Sequence, residues 1–125
     1  MHEMTFIVID QGGMALHSER YHLLPVDLRK DPSETLSPLI LSDVDENRPG
    51  ILDPSLPTLL IFECVLVYMP PELSSRLLRW FVDQTRSSSR GVLGCIVYEM
   101  FGLNDSFGRV MVDNLKASHG LQIPV

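Results

Sequence analysis

The sequence predicts an α/β fold with a mostly parallel sheet, and three observations carry this prediction. Short runs rich in β-branched and other apolar residues recur at residues 5–10, 58–62 and 91–98. Segments with apolar residues at helical spacing follow the second and third of these runs. Strands that alternate with helices of about four turns are typical of βαβ units, in which a helix joins parallel strands.

The strand candidates differ in how well each suits a sheet. Residues 5–10 (TFIVID) run into a QGG sequence, which predicts a strand followed by a turn. Residues 21–28 (YHLLPVDL) are a second candidate, but Pro25 lacks the N–H that a sheet interior requires. This strand would therefore lie at a sheet edge or pair imperfectly. Residues 58–62 (TLLIF) and 91–98 (GVLGCIVY) are strongly apolar and predict buried strands.

Two helices are predicted in the first two thirds of the chain. A short one near residues 33–41 lies within residues 31–57, a polar segment with five prolines that is otherwise predicted to be a long loop. The second begins at Pro70-Pro71, where a missing N–H costs nothing, and runs to about Thr85. Five side chains form its apolar face: Leu73, Leu77, Leu78, Trp80 and Phe81.

A third helix is predicted near the end of the sequence. Asn104, Asp105 and Ser106 offer N-caps, and Gly120 is a natural C-cap. The apolar face consists of Phe107, Val110, Met111 and Leu115.

Composition and charge narrow the function classes. Ten basic against sixteen acidic residues give a formal net charge of −6, which argues against nonspecific binding to nucleic acid or anionic membranes. The longest apolar runs are too short to cross a bilayer. No signal peptide is expected, since His2 and Glu3 precede only a short apolar run.

The cysteines and histidines predict neither a metal site nor a disulfide. Cys64 and Cys95 lie inside apolar segments, and their spacing fits neither a CxxC redox motif nor a zinc site. They are expected to be buried free thiols in a reducing compartment, so we expect a cytoplasmic protein. The four histidines are scattered, and no metal is expected.

Glu63 is the first candidate site residue. The run TLLIFECVLVYMPPE places this carboxylate at the end of an apolar strand. Open α/β sheets bind ligands outside the carboxyl ends of their strands. A Glu that reaches solvent, or that pairs with a nearby Arg, would explain the same pattern, and this run alone does not decide between them.

Asp27 and Leu28 are a second, weaker signal at a predicted strand end. In nucleoside-binding α/β proteins such a pair suits adenine: the carboxylate accepts from the exocyclic amine, and the next backbone N–H donates to a ring nitrogen. An Asp at a strand end is also commonly a cap or turn residue.

Set together, these segments resemble the leucine carboxyl methyltransferase family. LPVDLRK, a proline-rich loop, LPTLLIFECVLVYMPPE, a strand ending in YE, and DSFGRVMVDNL occur in the family's order over about residues 16–115. The resemblance implies a partial Rossmann-like methyltransferase fold that uses S-adenosylmethionine. It also implies methylation of the C-terminal leucine carboxylate of the type 2A protein phosphatase catalytic subunit.

The resemblance also implies roles for individual residues. Asp27 and Leu28 would contact the adenine of the cofactor, and Glu63 would lie by its ribose or amino-acid end. Tyr68 would donate to the substrate carboxylate, although an aromatic core position explains Tyr68 equally well. No catalytic base is expected, because a C-terminal carboxyl with a pKa of about 3.5 is already ionised at neutral pH.

The chain also departs from the family's pattern. It has no GxG loop, and Gly12-Gly13 predicts an ordinary turn, since about eight residues are too few for a parallel crossover. We therefore expect a single incomplete domain over residues 1–125, truncated at both ends. The alternative to an enzyme is a truncated, non-catalytic product without cofactor binding, which binds the phosphatase or does nothing.

Overall fold

The structure is a computed structural model that describes residues 7–43, 49–100 and 102–120. It divides into two compact units, Met1–Asp53 and Pro54–Val125, and each is described by itself. The expectation that residues 1–125 form a single domain stays a prediction.

The first unit contains an antiparallel sheet of three short strands. They are β1 (Ile7–Asp10), β2 (Ala15–Ser18) and β3 (His22–Leu23), in the order β1-β2-β3. Gly12 and Gly13 connect β1 to β2 with φ values of 65° and 90°, a left-handed backbone that glycine adopts without steric cost. The predicted strand and ordinary turn are thus confirmed from residue 7 onwards, while residues 5–6 lie outside the described residues.

Two expectations for this unit were wrong. The strand predicted over residues 21–28 ends at Leu23, because Pro25 cannot donate to a ladder, so Asp27 does not lie at a strand end. The expectation of a mostly parallel sheet also fails here, since both strand pairs are antiparallel. β2 was not predicted.

The short helix predicted near residues 33–41 is confirmed. α1 (Pro32–Leu36) is followed directly by a wider π-type turn, Ser37–Leu41. Asp31 caps α1, because its carboxylate accepts a hydrogen bond of 2.9 Å from the Ser33 N–H. Of the loop predicted to follow, residues 44–48 lie outside the described residues.

The second unit is a βαβ arrangement followed by a helix. β4 (Thr58–Glu63) and β5 (Leu93–Tyr98) pair in parallel, and α2 (Pro71–Arg86) lies between them in the chain. The register runs from Thr58 opposite Leu93 to Glu63 opposite Tyr98. This pair confirms the α/β class and the predicted parallel pairing.

The helix boundaries in this unit follow the capping signals of the sequence. α2 starts with Pro70 as N-cap and Pro71 as first helical residue. α3 (Ser106–His119) is capped by Asp105, whose carboxylate accepts from the Gly108 N–H at 2.6 Å, and it ends at Gly120 with φ 63°. Within the described ranges, no helix combines the length and apolarity needed to span a membrane.

The core of the second unit is small. Among its described residues, the buried apolar side chains are Phe62, Met69, Leu77 and Trp80, and Leu77 is only 1% exposed. Two of the four lie on the predicted apolar face of α2. Amphipathic spacing therefore predicted the buried face of this helix correctly.

The prediction that both parallel strands are buried was wrong. Leu59 and Ile61 on β4 are 57% and 65% exposed, and residues 95–98 on β5 are all exposed. Cys95 is therefore an exposed thiol rather than a buried one, and Cys64 is half-buried. Parallel strands are buried only when helices cover both faces of the sheet. On α3, however, Phe107 is 80% and Val110 58% exposed, so this part of its apolar face is not packed.

We predict that Leu77→Ala lowers the free energy of unfolding by about 2–5 kcal/mol, the usual cost of truncating a fully buried leucine. Urea unfolding, followed by the fluorescence of Trp80, the single tryptophan, measures the change. Val82→Ala on the same helix is the control, because Val82 is 39% exposed. Its effect should stay within about 0.5 kcal/mol. Equal losses from the two variants would contradict the assignment of the core.

Candidate cofactor-binding site

Glu63 lies at the carboxyl edge of the parallel pair. It is the last residue of β4 and stands opposite Tyr98, the last residue of β5. The side chain of Glu63 is exposed, and among the described residues it has no ion-pair partner. The proposed pairing with a nearby Arg is therefore not what the structure describes. An accessible carboxylate at this edge suits ligand binding, and its contact with a cofactor stays a prediction.

The chain turns sharply directly after Glu63. Cys64 has φ 51°, the only described non-glycine residue with a left-handed backbone. Its N–H donates to the Tyr98 carbonyl at 2.8 Å, which extends the strand ladder by one step. A left-handed L-residue costs on the order of 1–2 kcal/mol. Such residues cluster at binding and active sites, where the surrounding structure holds them in place.

A second carboxylate, Glu99, supports this turn. One oxygen, Oε1, accepts hydrogen bonds from the Val65 N–H at 2.9 Å and the Leu66 N–H at 2.7 Å. The other oxygen, Oε2, is buried and has no hydrogen-bond partner among the described residues. In the sequence, Glu99 is visible only as the second residue of a strand-ending Tyr-Glu pair, and no role was predicted for it. A carboxylate directly after a strand was the available signal, the same one that singled out Glu63.

Tyr68 lies in the short 3₁₀ turn Leu66–Tyr68 that follows. Its N–H donates to the Val65 carbonyl at 3.2 Å, and its side chain is half-buried. Met69, the next residue, is buried and anchors the turn to the core. Half-burial leaves the Tyr68 side chain partly accessible, and its predicted hydrogen bond to a substrate carboxylate stays a prediction.

Asp27 lies in the first unit, in a turn rather than at a strand end. Its Oδ1 accepts from the Arg29 backbone N–H and from Arg29 Nε, both at 3.1 Å, and the Lys30 N–H donates to the Asp27 carbonyl. The Arg29 contacts, chiefly its side-chain hydrogen bond, and more weakly the charge of Lys30 lower the pKa of the Asp27 carboxyl below its ordinary value. Asp27 is thus an ionised acceptor at neutral pH.

Asp27 and Leu28 retain free hydrogen-bonding capacity. Asp27 Oδ2 receives only a long contact of 3.4 Å from Arg29 Nη2, and a carboxylate has about four acceptor positions. Within the described residues, the Leu28 N–H has no acceptor. One free acceptor beside one free donor is the set that an adenine edge requires. The adenine contact itself stays a prediction.

The four predicted site residues fall into two groups. Asp27 and Leu28 belong to the first unit, whereas Glu63 and Tyr68 belong to the second, where Glu63 ends β4 and Tyr68 ends the 3₁₀ turn that follows it. Across the described part of the chain, no group of three or more His, Cys, Asp or Glu side chains is arranged to hold a metal ion.

The architecture is that of an α/β protein with a parallel strand pair, and comparison with known proteins gives its family. The family model described as leucine carboxyl methyltransferase matches residues 8–82, a stretch that includes all four predicted site residues. The chain belongs to the leucine carboxyl methyltransferase family.

Curated relatives named leucine carboxyl methyltransferase 1 extend the similarity. The protein of Cryptococcus neoformans var. neoformans serotype D is 47% identical over 116 residues, which cover 93% of this chain and 31% of the relative. The Aspergillus fumigatus protein is 39% identical over a stretch that covers 94% of this chain and 31% of the relative. The Bos taurus protein is 35% identical over a stretch that covers 86% of this chain and 28% of the relative. The chain thus spans less than a third of the length of these relatives. No solved structure matches it.

We predict that Arg29→Gln raises the pKa of Asp27 toward its ordinary value of 3.8. Carboxyl ¹³C shifts recorded against pH measure the change. Because the folded-state pKa is lowered, the Asp27–Arg29 pair stabilises the turn above the unfolded-state pKa. That contribution is lost as pH falls through the folded-state pKa. Lys30→Gln is the matched control, since Lys30 is the smallest of the causes that lower this pKa. A larger shift from the Lys30 change would contradict the geometry.

Proposed function

We propose that the protein carrying these residues is an S-adenosylmethionine-dependent methyltransferase. In this proposal it methylates the C-terminal leucine carboxylate of the type 2A protein phosphatase catalytic subunit. Membership of the family supports methyl transfer to a leucine carboxyl group. The observation that carries the proposal is the accessible Glu63 carboxylate at the edge of the parallel pair, inside the family match. For a protein that carries these residues, a non-catalytic role is not favoured, because relatives matched over 93% of the chain are named as methyltransferases.

The fold that we propose around the site is Rossmann-like. The β4–α2–β5 arrangement supplies one parallel unit of such a sheet, and its carboxyl edge is where these folds bind nucleotide ligands. The described cysteines are free and one is exposed, which suits a reducing compartment, so we propose a cytoplasmic location.

The available groups fit the proposed cofactor. Asp27 would accept from the adenine amine, and the Leu28 N–H would donate to a ring nitrogen, since both retain that capacity. Glu63 would accept hydrogen bonds from hydroxyl or ammonium groups nearer the reacting end. When bound, S-adenosylmethionine supplies a methyl group on a positively charged sulfur.

In this proposal no residue of the chain acts as a general base. A C-terminal carboxyl has a pKa of about 3.5, so the substrate oxygen is already a nucleophile at neutral pH. The residues must instead hold the reacting groups in line, which contributes about 7–11 kcal/mol in well-oriented reactions. Tyr68 would orient the leucine carboxylate. Excluding water from the site would favour a reaction between opposite charges.

A chimera tests the proposal. Residues of this chain replace the matching segment of the Cryptococcus neoformans relative, of which they cover 31%. We predict that the chimera transfers labelled methyl groups to the phosphatase subunit but not to a subunit that lacks its terminal leucine. Asp27→Asn should weaken cofactor binding by about ten- to hundredfold, because a hydrogen bond to a charged group contributes roughly 1.5–3 kcal/mol.

The unmodified relative is the positive control for this experiment. Equal labelling of the two substrates would overturn the proposed leucine specificity. Unchanged affinity in the Asp27→Asn chimera, measured by calorimetry, would show that the adenine is read by other residues.

The chain of 125 residues by itself should behave differently. We predict no measurable methyl transfer and weak cofactor affinity, because a few contacts cannot offset the cost of ordering a binding site. We also predict self-association, since apolar residues on β4, β5 and α3 are more than half exposed, including Ile61, Ile96 and Phe107. Light scattering and calorimetry test both statements. A monodisperse monomer that binds the cofactor with micromolar affinity would contradict them.

A further inference from the structure

We propose that Glu99 is a positioning residue for the candidate site, acting through the left-handed turn at Cys64. The proposal rests on the proposed function for its cofactor readout, but its structural part stands on the hydrogen bonds alone. Glu99 lies outside the segment matched by the family model, which ends at residue 82. It was also not among the residues that the resemblance assigned.

The strand register brings Glu99 to the turn. Glu63 stands opposite Tyr98, and the Cys64 N–H donates to the Tyr98 carbonyl at 2.8 Å. The next residue along each strand is therefore at the same edge of the sheet. From there the Glu99 side chain reaches two backbone N–H groups that lie 33 and 34 residues earlier in the sequence.

The backbone at the turn forms an anion-binding concavity. Cys64 is left-handed, with φ 51°, and Val65 is right-handed, with φ −108° and ψ −50°. Alternation of this kind turns successive N–H groups toward one point, a geometry that binds anions. The Val65 and Leu66 N–H groups both donate to Glu99 Oε1, so the carboxylate is the anion that occupies it. The Glu99 carboxylate therefore favours the left-handed backbone at Cys64, a conformation that is otherwise unfavourable for a residue with a side chain.

The same geometry excludes direct catalysis by Glu99. Oε1 already accepts two hydrogen bonds, and Oε2 is buried from solvent without a partner in the described part of the chain. One oxygen is thus occupied by the backbone and the other is inaccessible to a ligand. A buried carboxylate oxygen without a partner is unfavourable, so the pair of bonds at Oε1 must offset that cost. Glu99 instead holds the backbone conformation of the turn that joins Glu63 to Tyr68, the two predicted site residues in this unit.

Hydrogen exchange tests the structural part, in both the chain and the chimera. Glu99→Ala should speed the exchange of the Val65 and Leu66 amides by about tenfold or more, because both lose their acceptor. Glu99→Gln keeps an acceptor oxygen and should retain most of the protection. Glu72→Gln is the matched control, an exposed glutamate in the first turn of α2 that should change nothing. Unaltered exchange in Glu99→Ala would overturn the proposal.

Cofactor affinity in the chimera tests the positioning role through Cys64. Glu99→Ala should weaken binding by about tenfold, the scale of a hydrogen bond to a charged group. Glycine adopts φ near +60° without strain, so in a Cys64→Gly background the same change should cost less than about threefold. If Glu99→Ala instead disrupted the structure generally, the loss of affinity would be the same with cysteine or glycine at position 64. An equal loss in both backgrounds would therefore overturn the role of the left-handed turn.

The outcomes separate the two proposals. A chimera that neither binds cofactor nor methylates, although the unmodified relative does both, contradicts the proposed function and leaves hydrogen exchange to decide the role of Glu99. An active chimera whose affinity is unchanged by Glu99→Ala contradicts the inference alone. If Glu99→Ala does not fold, Glu99→Gln decides: protection of Val65 and Leu66 supports the inference, and its loss in that folded variant contradicts it.

Discussion

The parallel register between β4 and β5 is the constraint on which the site in the second unit depends. It places Glu63 opposite Tyr98, and so it sets Cys64 and Glu99 side by side at one edge. Side chains in a strand alternate between faces, so a shift of one residue would move Glu63 to the other face and Glu99 away from the turn. The helix between the strands matters for the site chiefly because it allows this pairing to be parallel.

The two candidate regions use carboxylates in different ways. Asp27 forms an ion pair with Arg29 at the surface, where water competes for both charges. Its contacts stabilise a local turn and leave Oδ2 with only a long contact of 3.4 Å. Glu99 directs its charge inward to the backbone and leaves nothing for a ligand. Glu63 is exposed like Asp27 but has no ion-pair partner among the described residues. The surroundings of each carboxylate, rather than its place at a strand end, thus decide whether its oxygens remain accessible or are used within the fold.

Local signals predicted most of the fold correctly. Pro71, Asp105 and Gly120 mark helix ends through their own backbone chemistry, which acts over a few residues, and the spacing of Leu77 and Trp80 predicted the buried face of α2. Features that depend on distant contacts were missed. β2 is only four residues long, the exposure of β5 depends on what packs against it, and nothing in the sequence marks Cys64 as left-handed. The role of Glu99 required that turn to be known first.

Pro70 and Pro71, described above as the start of α2, also bear on the entropy of the unfolded chain. Each ring restricts φ before folding begins, so fewer conformations are lost when this part of the chain becomes ordered. A proline that suits its native geometry stabilises a fold by about 0.4–1 kcal/mol in this way. The two prolines follow the turn that carries Tyr68 directly. The stretch from Glu63 to Tyr68, which contains the left-handed Cys64, is thus joined to a helix start whose conformational freedom is already restricted in the unfolded chain.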